Sequence, residues 1–121
     1  MRFMTIYKPA NTAGMEAGVP PTEDEIARMG EFIGEMANAG VLLAADGLMA
    51  SATGARVRRT GGKVTVTDGP FLEAKELIGG FAILNVASRE EAIEWTKRFL
   101  DVAGDGESEV RQMYDAAAFE A

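Results

Sequence analysis

The chain has 121 residues, 47% of them hydrophobic and 26% charged, with a formal net charge of −7. That suits one globular domain with a real core, and it excludes wholesale disorder. The acidic balance argues against a nucleic-acid partner, because a surface that tracks phosphates needs a basic excess. With no cysteine and no histidine, disulfides, thiol catalysis, Ser–His nucleophile pairs and the commonest zinc and haem ligands are also excluded.

Residues 2–7 mix β-branched, aromatic and polar side chains and predict a first strand. No export signal is expected, since Lys8 and Pro9 interrupt the opening stretch early, and a cytosolic protein is the plain expectation. The stretch 9–21 is rich in Gly, Pro, Asn and Thr and predicts a long loop of the kind that often carries function. Thr22-Glu23-Asp24-Glu25 is a capping box, and Ile26, Met29, Ile33 and Met36 then form a helical stripe that ends near Gly40. A short buried strand is expected over 41–45, stopped by Asp46-Gly47.

Residues 55–60 and 63–67 flank Gly61-Gly62 and predict a hairpin. The run 80–86 is the most apolar and predicts a central strand. Ser88-Arg89-Glu90-Glu91 is a second capping box, opening a helix with Ala92, Trp95, Thr96, Phe99, Leu100 and Ala103 on one face. A last strand is expected over 109–114. No apolar run reaches the roughly 20 residues a membrane helix needs, so no membrane partner is expected.

Two βαβ units around an inserted hairpin predict an α+β, ferredoxin-like sandwich spanning the whole chain as one domain. Such a sheet carries helices on one face only. A second copy is the simplest cover for the other face, so a twofold homodimer is expected.

Between hairpin and central strand stands Asp68-Gly69-Pro70-Phe71-Leu72-Glu73-Ala74-Lys75-Glu76-Leu77-Ile78-Gly79-Gly80. This resembles the signature of the YCII-related, DGPF-domain family. Phe3-Met4, Ala39-Gly40-Val41-Leu42-Leu43 before Gly47-Leu48, Glu91-Ala92-Ile93-Glu94-Trp95 and Glu109-Val110-Arg111 extend the likeness over nearly the whole chain. The resemblance implies a dimeric α+β barrel type with a cleft in each protomer near the signature loop. Some DGPF members accompany alternative sigma factors, which implies a role around transcriptional or stress signalling. The sister YciI-like proteins are associated with a histidine–aspartate pair, and a chain without histidine cannot carry that mechanism over.

Two readings of the loop stand side by side. In the structural one, Asp68 caps a turn, Gly69 and Pro70 shape it and Phe71 plugs the core. In the functional one, Asp68 is a base or acceptor at a pocket mouth, with Gly69, Pro70, Phe71, Glu73, Lys75 and Glu76 around the ligand. Lys75 there would bind a carboxylate or phosphate. Arg56 and Arg58 share one face of the hairpin, as a solubilising edge or an anion site. Arg111 needs a partner, which Asp46 or Asp68 could supply, making either an ion pair or a ligand clamp. The first expectation is therefore a small-molecule-binding homodimer with a regulatory role and no cofactor. Its rivals are a cofactor-free isomerase or lyase with Asp68 as base, and a protein-interaction module.

Overall fold

The computed structural model describes residues 1–71 and 77–119. Its elements are strand β1 (Arg2–Pro9), helices α1 (Thr12–Glu16) and α2 (Glu23–Asn38), strands β2 (Leu42–Gly47), β3 (Ala55–Thr60), β4 (Lys63–Asp68) and β5 (Gly80–Asn85), helix α3 (Arg89–Ala103) and strand β6 (Gly106–Gln112). Single 3₁₀ turns lie at Ser51–Thr53 and Ala116–Phe119.

Four strands form one sheet in the order β2-β5-β1-β6, with every neighbouring pair antiparallel. β1 and β2 are separated by β5, so each helix crosses over an intervening strand. This is the ferredoxin-like α+β arrangement that the element order predicts. β5 lies between β2 and β1, as its apolar character requires.

The core forms where α2 and α3 cover one face of that sheet. Phe3, Phe32, Met36, Val41, Leu84, Val86 and Ala92 are buried together, with Ile33, Trp95, Phe99 and Val110 packed against them. The Phe32 ring stands 6.1 Å from Trp95 and 6.5 Å from Phe99. Arg98 lies over Trp95 at 4.7 Å and pairs with Glu35 across the two helices.

Several boundaries differ from the sequence expectation. Stretch 9–21 holds the short helix α1, because the Asn11 side chain accepts from the Gly14 amide at 3.0 Å and caps it. β2 runs on through Asp46 and Gly47, which pair with Phe81 and Gly80. β6 begins at Gly106, opposite Pro9, and ends at Gln112, short of Tyr114. On α2 the buried face centres on Phe32 and Met36, while Ile26 is 58% exposed. The Thr22–Glu25 box is complete. At α3 only half of the second box forms: Ser88 accepts from the Glu91 amide, but Glu91 reaches the amide of Ala87.

Hairpin β3–β4 has the expected register about Gly61-Gly62 but forms a separate two-stranded sheet. The sheet face away from the helices follows from alternation. Phe3 and Thr5 are buried on the helix side, so Met4 and Ile6 point to the other face, beside Phe81 and Ile83 of β5. All four are half-buried.

Candidate functional site

One end of the four-stranded sheet collects the long connections. β1 and β2 finish there and β5 and β6 begin there, since Tyr7 and Gly47 both pair with Gly80, and Pro9 pairs with Gly106. The chain arriving from the signature loop is sewn into this end by its backbone. The Gly79 amide donates to the Tyr7 carbonyl at 2.7 Å, and the Leu48 amide donates to the Gly79 carbonyl at 2.9 Å.

The start of the signature loop is held by a hydroxyl. Ser51, in the turn after β2, accepts from the Phe71 amide at 2.9 Å through its Oγ. The Ser51 amide donates to Glu16 Oε1 at 2.9 Å, and its hydroxyl donates to Glu16 Oε2. Three segments far apart in sequence thus meet at one side chain. The two Ser51 donors, the hydroxyl first, hold the Glu16 carboxyl below the usual glutamate range.

Gly69 sits against the same turn. Its amide donates to the Gly54 carbonyl at 2.9 Å, and a Cβ built there would fall 1.7 Å from the Ser51 carbonyl oxygen. Only glycine fits that approach. The Gly69–Pro70 peptide is cis. Phe71 is half-buried, with the Arg56 guanidinium 4.0 Å above its ring.

A cleft of about 470 Å³ opens at this end of the sheet, where β1 finishes and β6 begins. Lys8, Thr12 and Glu107 line it together with Pro9, Ala10, Leu77 and Gly106. Lys8 and Glu107 are cross-strand partners on β1 and β6. Leu77, in the second half of the signature stretch, is buried at 8% exposure. At the back of this end the Tyr7 hydroxyl donates to the Asp105 carbonyl at 3.2 Å. Burial first, and then the Asp105 carboxylate, raise the Tyr7 phenol above its ordinary value.

The residues singled out in the sequence divide into three groups. Asp68, Gly69, Pro70 and Phe71 lie at the junction, with Asp68 exposed at the end of β4 and paired through its backbone with Ala55. Asp46 is at the same end of the sheet on β2, opposite Phe81. Glu73, Lys75 and Glu76 lie outside the described residues. Arg111 is elsewhere: it stands opposite Met4, one residue from the end of β6, and its guanidinium meets Glu109 at 3.4 Å rather than Asp46 or Asp68. Side chains two apart on a strand share a face, whereas Asp46 is separated from Arg111 by β5 and β1.

Glu16 and Ser51 were not singled out. Glu16 is the sole charged residue in stretch 9–21, and that isolation was the available signal. Among the described residues, no three His, Cys, Asp or Glu side chains are grouped to hold a metal ion, and no helix is long and apolar enough to cross a membrane.

The family model of the YCII-related domain matches residues 1–116. The chain belongs to the YCII-related family. None of the curated proteins compared matches it. Within the stretch Asp68 to Phe71, Gly69 and Phe71 are the residues that close onto the Ser51 turn.

Proposed function

We propose that this YCII-related protein binds a small molecule in the cleft at the end of its sheet, and that binding serves a regulatory role. The observation that carries the reading is the cleft itself. Its volume of about 470 Å³ falls within the roughly 300–1,000 Å³ typical of ligand sites. Its lining suits a small amphipathic metabolite: Lys8 and Glu107 offer opposite charges, Thr12 a hydroxyl, and Leu77 and Pro9 apolar walls. The latch of Glu16, Ser51 and Phe71 ties the segment that carries Thr12 and the start of the signature loop to the Ser51 turn, so a ligand held at Thr12 has a covalent and hydrogen-bonded route to that loop.

The protein acts as a homodimer in this reading. Met4, Ile6, Phe81 and Ile83 form an apolar patch on the sheet face away from α2 and α3, with Glu109 and Arg111 beside it on β6. A twofold axis would set each Arg111 near acidic groups of the other copy and bury both patches.

Thermal-shift screening against small acids, amines and phosphates tests the binding site. A ligand at about a hundred times its Kd adds about 2.7 kcal/mol, raising the midpoint of a chain this size by roughly 10 °C. Ala10→Trp should fill the cleft and abolish the shift, while Asp68→Asn, at the exposed end of β4, should keep it. Hits that survive Ala10→Trp, or a screen with none, would reject the cleft as the site.

A further inference from the structure

Hairpin β3–β4 stands apart from both the four-stranded sheet and the cleft. All residues of its two strands are exposed. Its register sets Val57 directly opposite Val66, with Val64 on the same face opposite Arg59. These valines are 69%, 63% and 58% exposed. Arg56, Arg58 and Lys63 occupy the other face, among threonines.

A two-stranded ribbon by itself is marginal in water and gains stability only when a face is packed. β-branched side chains aligned on an uncovered ribbon therefore mark a contact surface. The base of the ribbon is fixed: Gly69 bonds Gly54, and Arg56 lies over Phe71. The tip at Gly61-Gly62 projects from that base.

Charge indicates what covers it. Four cations and one carboxylate over residues 55–68 give the hairpin +3, which leaves −10 on the remainder of a chain whose total is −7. The body of the same protein is thus an electrostatic complement to the hairpin. We propose that the hairpin is an arm that docks on the acidic body of a second copy of this chain, its valine face packed and its arginines meeting carboxylates. Under a twofold axis both arms dock at once. Nucleic acid would attract the arm but be repelled by the much larger opposite charge behind it. The contact goes beyond ligand binding and beyond the sheet-face patch. It joins the partner's body to the signature loop through Arg56 and Phe71.

The experiment combines sedimentation equilibrium with cross-linking. Val57→Thr/Val66→Thr keeps the β-branched shapes and so the hairpin, but removes its apolar face. It should raise the dimer dissociation constant at least about tenfold. In parallel, Val64→Cys gives a single cysteine in a chain that has none, to be labelled with a benzophenone and mixed with heavy-nitrogen wild type. Irradiation should join light hairpin to heavy acidic body. Adducts confined to one chain, or a dissociation constant within about twofold of wild type, overturn the arm, as does preferential cross-linking to added duplex DNA. A monomeric wild type would remove the arm and the sheet-face dimer together. Dissociation by a sheet-face substitution, with the valine variant unaffected, would remove the arm alone.

Discussion

Glu16 accepts both the amide and the hydroxyl of Ser51, and its lowered pKa makes that latch sensitive to acid. A carboxyl whose pKa falls on folding contributes stability above its unfolded value, and the contribution is lost as pH falls through the folded one. The ordinary value is 4.5, so the loss sets in near there and is complete only below the folded pKa. Glu16→Gln should be less stable than wild type near neutrality, and urea midpoints taken down the acid limb should converge. A gap that stays constant with pH would mean that shape rather than charge holds Ser51. Beyond the isolation of Glu16 in its stretch, nothing in the sequence announces this pair, because its members lie 35 residues apart and neither falls in a signature. Asp68 shows the converse. Its motif is conspicuous in the sequence, yet its carboxylate is exposed, and the tight fit belongs to Gly69 against the Ser51 carbonyl.

Elements were most legible where their determinants are neighbours in sequence. The box at α2 closes within four residues, with the Glu25 amide donating to Thr22 Oγ1 at 3.1 Å and the Thr22 amide reaching Glu25 at 3.4 Å. Thr22→Ala should therefore cost about 1 kcal/mol in urea unfolding, and Thr22→Asp should restore most of it. An alanine variant as stable as wild type would show that packing of Phe32 and Met36 alone sets the start of α2. The hairpin was legible for the same reason, since Gly61 and Gly62 both take positive φ at its turn. Its detachment from the main sheet was not legible, because separation depends on long-range pairing. On α2 the stripe was right at Ile33 and Met36, which join the core, but it missed Phe32 and included the exposed Ile26. Phe32 packs between Trp95 and Phe99 of another helix, and a stripe written from one helix's own periodicity cannot register that partner.

At the scale of the molecule, the strand order β2-β5-β1-β6 follows from two βαβ units, each folding its helix back over the sheet. Helices α2 and α3 lie on one face, so the opposite face is where the proposed dimer would form. On it Ile83 pairs with Met4 of β1 and Ala44 of β2, and Phe81 pairs with Ile6. Ile83 is thus at the middle of the patch, on the central strand and only half-buried. Wild type should sediment at twice the 12.9 kDa of the chain. Ile83→Glu places a carboxylate at the centre of the contact, and a twofold axis places two. A central interface residue is worth about 2 kcal/mol when lost, so doubling predicts a dimer weakened about a thousandfold. The intramolecular core lies on the other side of the strand, with Leu84 at 2% exposure, so the circular dichroism of the Ile83→Glu monomer should stay that of the folded chain. An Ile83→Glu protein that still sediments at twice the chain mass would move the dimer contact off this face, and the open sheet would then need a different cover.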